Sequence, residues 1–246
     1  MKLFPALLAV AAAGTLLAGP SSAQAQRAAA VPAAPSAAVA TPDTAKEARL
    51  ARADRGRIRG GKNGIWLVVI SDYQCPFCKK WHEETEPLIE RDYVRTGKVQ
   101  IAYMNYPIAS IHPNAMPAHE VAMCAAEQDR FWPVSDAIFR TQGDWKNRRD
   151  VAAFFDSLTR TLPLDRPRYD RCLRSGEMRS VIEADIDRST RIGVGSTPSF
   201  LVGGRPVIGA QPYEAFKRAI DAALAAAAAA APAAAPAAAR AATPSR

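Results

Sequence analysis

Histidine and cysteine are scarce in this chain: three His and four Cys among 246 residues. No second C-x-x-C and no H-x-x-x-H accompanies the one C-x-x-C, so the ligand spacing of a structural zinc site is missing. Beyond the N-terminus no apolar run is long enough to span a bilayer, which excludes a polytopic membrane protein. The two ends are poor in everything but Ala, Pro and small polar residues, leaving about residues 57–224 to fold as one unit. A multidomain enzyme is excluded on length. One-sided charge is also missing where it would matter. The net charge is +8, but residues 46–62 hold seven basic against two acidic side chains, and residues 63–239 sum to zero. A folded basic face is therefore unsupported, and nucleic acid is not an expected partner. Residues 46–62 read as a solvated helix or linker, with anionic lipid headgroups as a weaker reading.

The first residues read as an address. A basic start at Lys2, an apolar run over 3–18, a break at Gly19-Pro20 and the A-x-A pattern Ala23-Gln24-Ala25 fit a secretory signal peptide, residues 1–25. The alternative is an uncleaved anchor. Export implies a periplasmic or otherwise extracytoplasmic location, with no stable membrane insertion after cleavage, where disulfides persist. Residues 26–56 read as a disordered Ala/Pro-rich and basic linker, and 225–246 as a low-complexity tail.

In the middle, residues 65–70 are continuously apolar and read as a buried strand. Cys75 follows, then Phe77, Trp81, Leu88 and Tyr93 near helical spacing, with a kink expected at Pro87. Residues 99–104 alternate like a second strand. Residues 112–192 show helical patterns near 114–127, 131–141, 148–160, 166–174 and 178–192. A hairpin signal spans 199–208, and Tyr213, Phe216, Ile220 and Leu224 mark a last amphipathic helix. The order predicts an α/β core interrupted by a helix-rich insert.

Cys75-Pro76-Phe77-Cys78 directly follows a strand and opens a helix. Unpaired N–H groups and the positive dipole end stabilise a thiolate at the first Cys. Pro76 lacks an N–H and suits the first turn. The second Cys, one turn on, can close a small disulfide. Such a tight loop removes little chain entropy, so redox chemistry is favoured over a purely structural bond, with metal binding the other alternative. Thr197-Pro198, just before a strand, reads as a cis-Pro loop facing that pair and exposing the Thr197 backbone to an extended substrate, with an ordinary trans loop proline as the alternative. If Cys75 pairs with Cys78, Cys124 and Cys172 remain for a structural disulfide in an exported protein. Two buried free thiols are the alternative.

The segments 71–78 (Ser-Asp-Tyr-Gln-Cys-Pro-Phe-Cys), 195–204 (Gly-Ser-Thr-Pro-Ser-Phe-Leu-Val-Gly-Gly), 209–213 and 125–132 resemble the DsbA-like thioredoxin-fold thiol:disulfide oxidoreductases over about residues 64–224. The resemblance implies a thioredoxin-like fold with an all-helical insertion, about 110–192, between the second strand and the cis-Pro loop. It also implies Cys75 as nucleophile, Cys78 as resolving Cys, Pro198 as the cis-Pro, and thiol–disulfide exchange without a cofactor or metal. Extracytoplasmic proteins with thiols or disulfides would be the substrates, with a separate redox partner recycling Cys75–Cys78. The reductase or isomerase direction and an extracytoplasmic thiol-based metal chaperone are the alternatives, beside a non-enzymatic binding module. Two departures stand out: Val69 takes the place of a buried acid six residues before the first Cys, and Phe77 the place of a frequent His. Of the other candidates, His82 reads as a surface residue, with a role beside the site as the alternative. Asp72 reads as a helix cap or a tuner of the local field, and His112 and His119 as structural. Trp66, Trp81, Trp132 and Trp145 read as core or rim packing.

Overall fold

The computed structural model describes residues 43–230. The expected signal segment, residues 26–42 and the tail from 231 lie outside them.

Strand β2 (Ile65–Ser71) is the middle strand of a five-stranded sheet ordered β1-β3-β2-β4-β5. Its apolar run is explained by that position, since Leu67, Val69 and Ile70 are all buried. Strand β3 (Val99–Asn105) runs parallel to β2. Hairpin strands β4 (Ser199–Val202) and β5 (Arg205–Ile208) run antiparallel on the other side. Strand β1 (Ile58–Gly60) adds an antiparallel edge to β3. Three residues, one of them Arg59, are too few to show a period, which is why β1 was not legible in the sequence.

Helix α1 (Thr44–Gly56) corrects the expectation of a disordered linker through residue 56. Asp43 caps it, accepting from the Lys46 N–H at 3.0 Å. Its apolar face is narrow, with Ala53 buried and Leu50 packed on the core, so periodicity conceals it. Ion pairs do the rest: Arg49 with Glu177 and Arg52 with Glu127. The basic residues read as a solvated run are thus largely committed to the fold. Gly56 lies so close to helix α4 that an added Cβ would meet the Ala126 carbonyl oxygen at 2.3 Å. Just beyond, Arg57 is buried against Asp185, which also accepts from the backbone and side-chain amides of Asn105 at 3.1 and 2.8 Å.

Helix α2 (Pro76–Glu84) stops at Thr85, and α3 (Glu86–Ile89) with a π-helical turn (Glu90–Val94) continues it. The break falls where Pro87 cannot donate to a preceding carbonyl. The insert consists of α4 (Ala115–Ala126), α5 (Phe131–Arg140), α6 (Gln142–Trp145), α7 (Val151–Arg160), α8 (Arg166–Ser175) and α9 (Met178–Arg191). Phe131, Phe139, Trp145, Phe155 and Tyr169 fill its interior. Helix α10 (Tyr213–Ala230) extends six residues into the segment read as tail, as expected of alanine, the strongest helix former.

Cys124 of α4 and Cys172 of α8 are joined, with Cα atoms 5.7 Å apart and a sequence separation of 48. A loop of that length stabilises the fold by roughly 4 kcal/mol in the chain-entropy account. We expect the double variant Cys124→Ala/Cys172→Ala to lose about that much stability in denaturant titrations. A loss below about 1 kcal/mol would show that the helices of the insert hold without the bond.

Candidate active site

Cys75 is the N-cap of α2, with extended backbone and no side-chain cap, and Pro76 takes the first-turn position where its missing N–H costs nothing. The next backbone N–H groups therefore point at the Cys75 sulfur. Behind it Cys78 is 1% exposed, packed among the core residues around Trp81. Both cysteines are free thiols. The Thr197–Pro198 peptide is cis, and Cys75 Sγ lies 3.5 Å from the Thr197 carbonyl oxygen. The structure thus brings Cys75, Cys78, Thr197 and Pro198 together. Phe77, 62% exposed, lines a shallow groove with Lys80, Thr197, Pro198, Gly209 and Ala210.

The two sulfurs are electrostatically unequal. The Cys75 thiol is held down to about 6. The hydrogen bond from the Cys78 thiol is the largest cause, opposed by burial and assisted by the Thr197 side chain and the backbone N–H groups of Cys78 and Phe77. Burial pushes the Cys78 thiol the other way. At neutral pH, Cys75 is the thiolate and Cys78 keeps its proton. This inequality exists with apolar Val69 buried beneath the site and Phe77 in the dipeptide.

Asp72 is not the cap of α2. Its fully buried carboxylate accepts from Gln74 N–H at 2.7 Å and Ile108 N–H at 2.8 Å, and pairs with His112 Nδ1 at 2.8 Å. Its own backbone N–H donates to Cys78 Sγ at 3.4 Å. His82 is not a surface residue either. Its side chain is 13% exposed and bonds Glu86 of α3 and Asp136 of α5. His119 is buried against the Asn105 side chain, and burial lowers its pKa to about 3, keeping it neutral.

Sequence reasoning missed the clamps that tie the C-x-x-C loop to the insert. Gln142 Nε2 donates to the carbonyls of Tyr73 and Cys75, at 2.7 and 3.0 Å. Gln74 donates to the Lys146 carbonyl and accepts from the Asn114 N–H, both at 2.7 Å. Gln142 lies 67 residues from Cys75, and no local pattern announces such a pairing.

The fold and site define a thioredoxin-fold protein with a paired-thiol helix N-terminus, a cis-Pro loop against it and a helical insertion. Residues 60–222 match the family model described as thioredoxin. The chain belongs to the thioredoxin family, and its fold is like that of DsbA proteins. The crystal structure of Wolbachia pipientis alpha-DsbA1 superposes with a TM-score of 0.63 at 16% identity, covering 70% of this chain and 92% of that one. The probable disulfide bond formation protein D of Bacillus anthracis is 27% identical over 64% of this chain and 72% of its own length. The Na(+)/H(+) antiporter NhaA 1 of Salinispora arenicola is 30% identical over 69% of this chain. The chain spans only about a quarter (25%) of that relative's length. Among the described residues no helix is long and apolar enough to cross a membrane.

Replacing Gln142 leaves the buried Tyr73 carbonyl without a donor, worth about 1–3 kcal/mol, and the Cys75 carbonyl with the Lys79 N–H alone. Gln142→Ala should therefore destabilise the protein by about 2 kcal/mol and raise hydrogen exchange in residues 73–78. Unchanged exchange there would contradict the clamp.

Proposed function

We propose that the chain is an exported thiol:disulfide oxidoreductase that exchanges a Cys75–Cys78 disulfide with protein substrates through a mixed disulfide on Cys75. The observation that carries this reading is the inequality of the two sulfurs at one helix N-terminus. A substrate thiolate attacks Cys75, which lies at the groove, and Cys78 leaves. A second substrate thiolate then attacks the substrate sulfur and releases Cys75, a good leaving group because its thiolate is stabilised. In reverse, the Cys75 thiolate attacks a substrate disulfide and Cys78 resolves the adduct. The cis-Pro loop offers the backbone of Thr197 to an extended segment beside Cys75, and Phe77 and Ala210 supply apolar contact. The name of the Bacillus anthracis relative, a disulfide bond formation protein, supports the oxidising direction, as does the leaving ability of Cys75. A disulfide-bearing redox partner then reoxidises the pair. The secretory pattern of residues 1–25 supports a periplasmic or otherwise extracytoplasmic site of action.

Mixed-disulfide trapping tests the proposal. Cys78→Ser, incubated with a protein carrying one disulfide, should accumulate a covalent adduct through Cys75, sensitive to reductant. Cys75→Ser should form none. An adduct through Cys78, or oxidised wild-type protein that leaves a reduced substrate unoxidised, would overturn it.

A further inference from the structure

The neutral sum of residues 63–239 conceals a local excess. Helix α8 holds four arginines against one aspartate, and it faces α1, another basic helix, across a cleft. The cleft has a volume of about 770 Å³, within the range of small-ligand sites. Arg49 and Arg52 enter it from α1, three residues apart and so on one face. Arg168, Arg171 and Arg174 enter it from α8 at the same spacing. The acidic lining is Glu127, just after α4, and Glu177, at the start of α9. Five guanidinium groups therefore meet two carboxylates, an excess of three positive charges in one concavity.

The two carboxylates do not use up the donors. Glu177 is engaged by Arg49, which reaches its two oxygens from Nε and Nη2 at 3.0 and 2.7 Å. One oxygen of Glu127 is shared by Arg52 at 3.4 Å and Arg168 at 3.6 Å, both longer than a good charge-assisted bond. Arg168 adds the Glu127 backbone carbonyl at 3.3 Å. The Arg52 Nε is buried with no acceptor among the described residues. Arg171 and Arg174 are exposed and form no ion pair among the described residues. Like charges gathered in this way repel, and an anion between them removes that cost. The frame is also rigid. Cys172 lies between Arg171 and Arg174 in sequence, is buried at the cleft wall and is bonded to Cys124 of α4. That bond holds α8 against the helix that ends beside Glu127, so the arginines are placed before any ligand arrives.

We infer that this cleft is a binding site for a multiply charged phosphate group, held between α1 and α8 by Arg52, Arg168, Arg171 and Arg174. Guanidinium forks pair with phosphate oxygens two at a time. A phosphate monoester carries about two negative charges at neutral pH and a diphosphate more, which suits the excess. A single carboxylate would leave most of it in place. The apolar lining is limited to Ala45, Ala48 and the buried Cys172, so the cleft suits a charged group and not a hydrocarbon body. A soluble phosphate compound and the headgroup of an anionic lipid both present this chemistry. The cleft shares no residue with the groove at Phe77 and Pro198, so the site is separate from the exchange chemistry.

The test is calorimetric titration of the full chain with inorganic pyrophosphate at low ionic strength, beside co-sedimentation with phosphatidylcholine vesicles with and without phosphatidic acid. Pyrophosphate should bind saturably, and more weakly as salt is raised. Arg171→Gln/Arg174→Gln should weaken binding at least about tenfold, the least expected when a charge-assisted hydrogen bond is removed. Arg205→Gln/Arg218→Gln removes the same charge from exposed positions on β5 and α10 and should change the affinity by less than about twofold. All four arginines are exposed, so both variants should fold, which melting without ligand checks. If the α8 double variant does not fold, Arg174→Gln decides by the same criterion. Pyrophosphate binding that the α8 variant loses, without vesicle binding, supports the site with a soluble ligand. Vesicle binding that needs phosphatidic acid and is lost in the α8 variant supports it with a lipid headgroup. No saturable binding of either probe, an α8 variant that binds as wild type does, or equal weakening in the two double variants would overturn the inference.

Discussion

The buried Asp72 carboxylate is the constraint on which the site depends. A carboxyl group without solvent is tolerable only when hydrogen-bond partners surround it. Here two backbone N–H groups and His112 converge on it. Those donors come from both sides of the sheet's end: Gln74 from the loop after β2, Ile108 and His112 from the chain after β3. One side chain therefore fixes the separation of the two segments between which α2 begins. Its backbone N–H reaches Cys78 Sγ, so the same residue sets the depth of the second sulfur. With that loop fixed, Cys75 falls at the N-cap of α2 and faces the Thr197 carbonyl.

From this geometry follows the division of labour between the two thiols. One sulfur sits where N–H groups end unpaired, and the other lies a helical turn inside an apolar core. Burial disfavours the thiolate at both, but only Cys75 has enough donors to overcome it. Neither an acid beneath the site nor a histidine in the dipeptide is needed, and Val69 and Phe77 occupy those places. Phe77 instead contributes an exposed ring beside the cis-Pro loop, where an extended chain could be gripped by apolar contact. Charge gathers instead further along α2, in the cluster of His82, Glu86, Asp136 and Arg59.

The C-x-x-C, the Thr-Pro loop and the helical block were legible because each is written in contiguous residues: a strand running into Cys75, a hairpin bounded by glycines, and successive apolar periods. What was not legible depends on partners far along the chain. Helix α1 shows a weak period because two arginines secure it to Glu127 and Glu177. Arg57 looks like one more solvated cation until Asp185, 128 residues on, is placed beside it. His82 has the spacing of a surface residue on α2, and only the approach of α3 and α5 encloses it. Gln142 carries no local mark at all, since its two acceptors are backbone carbonyls available at any residue.

The central claim is that Cys75 is a stabilised thiolate while Cys78 is not. Ultraviolet titration of thiolate absorbance in the reduced protein tests it most directly. The account predicts one thiolate appearing with a midpoint near 6, absent in Cys75→Ser, and moved upward in Cys78→Ala because the principal hydrogen bond to Cys75 is lost. A midpoint at or above about 8.5, the value of a free thiol, or a low midpoint that survives in Cys75→Ser, would contradict it.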